Sequence, residues 1–372
     1  VNAAGLRIGL VGPLPPPSGG MANQTLQLAK LLRAEGVSVE LIQVNPPYRP
    51  AMIGNIRGLR AVFRLLPYLA SLWRSAPKVD LYHVMANSGW SWHLFAAPAI
   101  WIARFRGKPV VVNYRGGEAD AFFEKSFARV RPSLDRANAI IVPSGFLEKV
   151  FGKRGCITYI VPNIIDLSRF SAEQNRAAAL TANFPRILVA RNLEPIYDNA
   201  TALRALKLVR NTLPTAQLVI AGSGPEKPAL EALAAELGLA DAVTFTGRVE
   251  NADMANLYYS ANVMVNPSLA DNMPNSVLES LASGVPVVST NVGGVPHLVE
   301  HDKTALLVPP QDPTAMAAAI LALLTDPVKA RRISEAGVES VRQYTWPKVR
   351  VRLLDMYERV LTGEIKPVVE YK

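Results

Sequence analysis

Short apolar runs alternate with helix-period stretches along most of the chain. Residues 6–11, 37–44, 81–84, 110–114, 139–142 and 157–161 are compact, Val/Ile/Leu-rich runs, the pattern of strands buried on both faces. Residues 22–35 and 93–105 carry their apolar positions at helical spacing. The rhythm then restarts. Strands are predicted at 186–190, 216–221, 243–245, 263–266 and 285–290, with helices at 200–212, 228–237, 275–283 and 313–325. An amphipathic helix from Trp346 to Leu361 follows. Such alternation predicts an α/β chain with two doubly wound parallel sheets. The expected division is 1–180, 181–344 and a helix with tail at 345–372 that packs on the first domain, with the break in the polar stretch 169–184. Ligands of such sheets bind at the carboxyl ends of the strands, here expected to face a cleft.

Composition agrees and narrows the class. At 372 residues the chain suits two domains, and 49% apolar with 19% charged residues excludes extended disorder. The single cysteine, Cys156, excludes an internal disulfide and fits a reducing compartment. The apolar run at 6–12 is too short for a signal peptide, and 94–105 falls short of the roughly 20 residues a spanning helix needs. A cytoplasmic protein, peripheral at the inner face of a membrane, is the expectation.

The formal charge of +10 is uneven. Residues 1–180 hold 22 Lys/Arg against 10 Asp/Glu, whereas 181–372 hold 18 against 20. The basic half implies an anionic partner. Nucleic acid is not expected, because no zinc-finger spacing, RNP motif or basic heptad occurs. In residues 54–78, Arg57, Arg60 and Arg64 recur among Leu59, Val62, Phe63, Leu65 and Leu66. That pattern fits a basic helix lying on an anionic membrane, and equally a surface helix with its apolar face on the core.

Candidate chemistry gathers at the strand ends. Gly19 and Gly20 precede the first helix, where glycine lets the backbone approach a phosphate or sugar, although an ordinary turn reads the same way. Gly222 in Ile220–Pro225 and the pair Gly247–Arg248 are two further small turns after strands. Residues 266–300 join an acid-bearing loop, a helix entered at Pro274, a strand and a glycine turn. Asp271 and Glu279 flank the helix start, whose free amides attract phosphate. Ser276 and Glu279 also fit a capping box, which would give the glutamate a purely structural task. Asn272 tolerates left-handed backbone angles. Glu118-Ala-Asp120 superficially resembles a metal motif without accompanying ligands, so no metal is expected.

Taken together, residues 6–361 resemble glycosyltransferase family 4, of the GT-B fold. Residues 271–286 resemble its E-x7-E region, with Asp271 in place of the first glutamate and Glu279 as the second. Residues 161–166 with Arg169 and Phe170 resemble its "PNGVD…F" segment, and Ala190-Arg191-Asn192-Leu193 its "GRL" turn. Residues 218–225, residues 245–248 and Gly19-Gly20 match further markers, in the family's order. The resemblance implies two Rossmann-like domains and a UDP- or GDP-sugar donor. Arg191 would hold the donor diphosphate, and the backbone of Asn275, Ser276 and Val277 would face the phosphates. Glu279 would accept the ribose hydroxyls, Asp271 and Asn272 would face the sugar, and Arg248 or Val249 the base. Gly19, Gly20 and Gly222 would lie near sugar or phosphate.

Three departures stand out. The lysine expected after Arg191 is absent, and Tyr197 occupies that stretch. Arg115 stands where the family has a histidine after a first-domain strand, and would supply positive charge there. Asp271 is one methylene shorter than glutamate. The resemblance implies a retaining transfer by front-face attack without cofactor, with a hexose or N-acetylhexosamine going to a lipid-linked or surface-glycan acceptor in exopolysaccharide-type assembly. Two other readings remain open at this point: a nucleotide-sugar 2-epimerase on the same fold, and a non-catalytic nucleotide-sugar-binding subunit.

Overall fold

The computed structural model describes residues 5–16, 19–47, 59–172, 184–250 and 253–368, with the backbone alone at 59–62. The chain forms two compact units, Val1–Asn163 with Trp346–Lys372, and Ile164–Thr345. The second unit thus begins ahead of the polar stretch 169–184, of which 173–183 lie outside the described residues. The reason is local: Ile165 bridges Thr345, and Phe170 sets its ring edge on Tyr258 at 5.9 Å, both within that unit.

In the first unit six parallel strands run in the order β2-β1-β3-β4-β5-β6. They are β1 (Arg7–Gly12), β2 (Ser38–Gln43), β3 (Leu81–Ala86), β4 (Val110–Tyr114), β5 (Ala139–Val142) and β6 (Tyr159–Ile160). Helices α1 (Gly20–Ala34), α2 (Leu59–Ser75), α3 (Ala97–Phe105), α4 (Ala119–Leu134) and α5 (Gly145–Gly152) alternate with them. Because β3, β4 and β5 are buried along their whole length, they read as mainly apolar runs, broken only by His83 in β3 and Asn113 in β4. Tyr114 and Phe123 pack on Phe151 at ring distances of 5.2 and 4.9 Å and fill the core on one face of this sheet.

The second unit has the order β12-β11-β10-β7-β8-β9, again parallel. Its strands are β7 (Arg186–Val189), β8 (Gln217–Ala221), β9 (Val243–Gly247), β10 (Val263–Asn266), β11 (Val287–Thr290) and β12 (Leu306–Val308). Between them lie α6 (Asn199–Val209), α7 (Lys227–Glu236), α8 (Met254–Tyr259) and α9 (Asn275–Ala282), followed by α10 (Pro313–Thr325) and α11 (Pro327–Val341). The order reverses between β7 and β10, so the loops after those two strands diverge and leave a crevice at their carboxyl ends.

The last helix, α12 (Trp346–Leu361), belongs to the first unit. Val349, Leu353, Met356, Tyr357 and Val360 recur at helical spacing and are buried. Each such side chain contributes about 1.5–3 kcal/mol by leaving water. At its start, Arg350 donates to both carboxylate oxygens of Glu35 at 2.8 and 2.7 Å, and Trp346 Nε1 donates at 2.9 Å. Among the described residues no helix is long and apolar enough to cross a membrane.

Candidate active site

The reversal between β7 and β10 brings together side chains far apart in sequence. Arg191 follows β7, while Asn266 ends β10 and leads into the loop holding Asp271. Arg191 Nε donates to Asn266 Oδ1 at 2.8 Å, and its guanidinium forms an ion pair with Asp271. Its charge also lies 4.9 Å from the centre of the Tyr197 ring. Burial pulls the guanidinium's pKa down, the expected response of a charge drawn from water. Tyr197 therefore meets Arg191 by its ring face, in the stretch where a second cation was expected.

Asn266 is fully buried and joins a polar network across the strand ends. Its Oδ1 accepts from Ser268 Oγ at 2.9 Å, and its Nδ2 donates to Ser289 Oγ at 2.9 Å. Thr290 Oγ1 donates to the Ser268 carbonyl at 2.6 Å. These four residues carry no motif in the sequence. Small polar residues at strand ends look alike until the sheet order aligns β10 with β11.

Backbone packing explains the glycines. A Cβ on Gly222 would stand 1.9 Å from the Arg191 carbonyl oxygen, and one on Gly224 would stand 2.3 Å from that of Leu193. Leu193 N–H donates to the Ser223 carbonyl at 3.1 Å. Gly222 thus lets the β8 turn seat the Arg191 turn. Likewise a Cβ on Gly293 or Gly294 would collide with the Asp271 and Asn272 carbonyls. Gly294 N–H donates to Asp271 O at 2.9 Å.

Two local expectations are corrected. Pro274, not Ser276, is the N-cap of α9, and no side chain caps that helix. Glu279 is therefore no partner in a capping box: its Oε2 accepts from Tyr258 Oη at 2.9 Å. Asn272 is not left-handed. Among described non-glycine residues only Asp198, Asp302 and Gln311 have positive φ. The loop is closed instead by Asp271 Oδ1, which accepts Asn272 N–H at 3.0 Å, with left-handed Gly293 in the facing turn.

Glu279 is held among protein atoms with little water. Burial pushes its carboxyl up to about 7, against the opposing pull of the Tyr258 hydroxyl and of Arg169 and Arg191. The same surroundings raise the Tyr258 phenol. At the start of α9, Val277 N–H donates to Pro274 O at 3.2 Å, while the buried Ser276 hydroxyl has no hydrogen-bond partner. Asn275 is the first residue of that helix. Gly247 ends β9 in a left-handed turn, after which Arg248 is exposed and Val249 packs partly on the core.

In the first unit, Gly19 caps α1 with extended backbone and open space where a Cβ would stand, and Gly20 is the first helical residue. Arg115 follows β4. Its Nε donates to Asn113 Oδ1 at 3.2 Å, its Nη1 donates to Asn163 Oδ1, and burial draws its pKa down to about 10. Asp120 pairs with Arg154 at 2.8 Å, and no group of three potential ligands gathers among the described residues. Arg57, ahead of α2 in sequence, lies outside the described residues, as does the Arg60 side chain. Tyr68 and Leu72 face the core, while Phe63, Leu66 and Trp73 are exposed.

Residues 18–169 match the family model described as "Glycosyltransferase Family 4", and residues 184–326 match "Glycosyl transferases group 1". Phosphatidyl-myo-inositol mannosyltransferase of Mycobacterium leprae is 26% identical over 97% of this chain and 99% of its own length. The GDP-mannose-dependent alpha-(1-6)-phosphatidylinositol monomannoside mannosyltransferase of Mycobacterium tuberculosis is 32% identical, over 55% of this chain and 56% of its own. Among solved structures, sucrose-phosphate synthase from Thermosynechococcus elongatus superposes with a TM-score of 0.78 at 22% identity, covering 96% of this chain and 100% of that one. The Anabaena protein HepE in complex with UDP gives 0.75 at 17%, over 95% and 100%.

Proposed function

Since the chain belongs to the group 1, family 4 glycosyltransferases of GT-B fold, we propose that it moves a hexose or N-acetylhexosamine from a UDP- or GDP-sugar to a lipid-linked or surface-glycan acceptor, with retention of configuration. The observation that carries the donor site is the meeting of Arg191, Asn266 and Asp271 where the sheet order reverses. The α9 amino terminus belongs to the same loop and adds amide donors and the Ser276 hydroxyl for the diphosphate.

In this reading Asn266 and Tyr197 hold the plane of the Arg191 guanidinium, whose remaining donors meet the leaving diphosphate. The bond from the anomeric carbon to the diphosphate oxygen breaks as the acceptor hydroxyl attacks the same face. The acceptor proton passes to the departing phosphate oxygen. Asp271 orients Arg191 and faces the sugar. Glu279, steered by Tyr258, accepts the ribose hydroxyls. Arg115 is the first unit's cation for the substrates. No metal enters this scheme, so EDTA should leave the rate unchanged.

A lipid-linked acceptor is supported by the names of the mycobacterial relatives and by the exposed apolar residues of α2. Trp73 stacks near Phe105 at 5.6 Å, with the Arg106 guanidinium 4.6 Å from its ring, so aromatic and cationic groups share one surface. The test is incubation with GDP-mannose or UDP-glucose and membrane lipid extract, following nucleotide release and the anomeric configuration of the product. Glycosylated lipid of retained configuration, and a fall of 10²-fold or more in Arg191→Ala, are expected. An epimerised donor without acceptor, or nucleotide binding with no transfer to any extract, would contradict the reading.

A further inference from the structure

His83 lies in β3 with no exposed surface, and the transfer scheme gives it no task. A buried imidazole needs a partner for each nitrogen. Nδ1 lies 2.7 Å from Tyr357 Oη on α12, and Nε2 lies 3.0 Å from Asn113 Nδ2 on β4. Asn113 in turn meets Arg115, whose Nε donates to Asn113 Oδ1 at 3.2 Å. Four side chains from two strands, a strand-end loop and the last helix thus form one hydrogen-bonded chain, buried at His83, Asn113 and Tyr357 and half-buried at Arg115.

Arg115 sets the direction of every bond in that chain. A guanidinium can only donate, so Asn113 must turn its oxygen toward Arg115 and its amide group toward His83. His83 Nε2 must then offer a lone pair, which leaves its proton on Nδ1, donated to Tyr357 Oη. This neutral tautomer is also what the surroundings require. Burial, followed by the nearby charge of Arg115, pushes the imidazolium pKa down to about 3.

We propose that Tyr357, His83 and Asn113 are positioning residues for Arg115, fixing its guanidinium at the carboxyl end of β4, so that the last helix is part of the reacting machinery. A helix held only by packing needs no hydroxyl here, because phenylalanine fills the same space. The inference rests on the reading of Arg115 as a cation that meets the substrates.

Nitrogen-15 NMR of histidine-labelled whole protein, with nucleotide release from GDP-mannose or UDP-glucose over lipid extract, tests both levels. His83 should show a slowly exchanging Nδ1–H that shifts in both Y357F and R115A. Y357F should lower kcat about 5–20-fold with the donor KM unchanged, and should have no further effect in an R115A background. H83Q, which keeps an acceptor for Asn113, should retain more of the rate than H83L. A proton on Nε2, or a His83 signal unmoved by R115A, would overturn the relay even if the variants lose activity. Wild-type kcat in R115A would overturn the role of Arg115, and the proposal with it. Losses from Y357F and R115A that multiply would show that Tyr357 only stabilises the fold.

Discussion

Glu279 shows how one residue's surroundings decide its chemistry. Its spacing from Ser276 fitted a cap, but Pro274 takes the capping position and Tyr258 takes the carboxylate. With the folded carboxyl near 7 and the unfolded one near 4.5, the folded protein holds a proton that the unfolded chain lacks in between. The stability from this group is full below pH ~4.5 and is lost as pH rises to about 7. Glu279→Gln keeps an acceptor for Tyr258 and removes the ionisation. Thermal melts should show the variant more stable than wild type at pH 8, by on the order of 2 kcal/mol, with the gain vanishing near pH 5. Equal melts at both pH values would contradict this. The same variant should bind UDP or GDP more weakly, since an amide is a poorer acceptor for ribose hydroxyls than a carboxylate.

At the scale of elements, the glycines and the last helix carry the sharper expectations. Gly222→Ala must push the β8 turn off the Arg191 carbonyl, so it should cost several kcal/mol, at the upper end for single substitutions. Gly19→Ala meets open space and extended backbone, and should leave the melt nearly unchanged. A loss of transfer in Gly19→Ala at unchanged stability would then report contact with substrate. The Glu35 carboxyl is held below its usual range by hydrogen bonds from Arg350 and then Trp346. Its stabilising effect is therefore present above the ordinary carboxylate pKa and fades as the pH falls below it. Glu35→Gln should lower the neutral-pH melt by about 0.5–1 kcal/mol, and the difference should close in acid.

These same elements show what the chain made legible. Strands such as 110–114 and 139–142 match the structure residue for residue, because a doubly buried strand is a largely apolar run, with Asn113 the one polar residue in these two. Three-residue β12 is too short to stand out, and Pro132 near the end of α4 hid a long helix. Arg191, Asp271 and Glu279 were legible from a resemblance carried by contiguous residues. Asn266, Ser289, Tyr258 and the buttressing Gly293–Gly294 pair were not, since strand order and backbone approach give them their roles. The left-handed angle expected at Asn272 falls on Gly293 across the turn, which only the paired loops could reveal.

For the molecule as a whole, the basic first half and the exposed Phe63, Leu66 and Trp73 make one expectation. The protein should co-sediment with vesicles containing anionic phospholipid at low salt, and detach as salt screens the attraction. Replacing the three apolar side chains by serine should abolish binding even at low salt, because insertion of that face supplies most of the affinity. Binding that survives the triple substitution would assign the contact to charge alone.

The claim on which everything else depends is that the β7–β10 crevice holds a nucleotide sugar. A thermal-shift titration of wild type and Arg191→Ala with UDP, GDP and their common sugars tests it most directly. The account predicts that one nucleotide raises the wild-type melt, by about 2.7 kcal/mol of stability at 100 times its dissociation constant, and that Arg191→Ala loses most of that gain. No stabilisation by any of these ligands, or equal stabilisation of the variant, would contradict it.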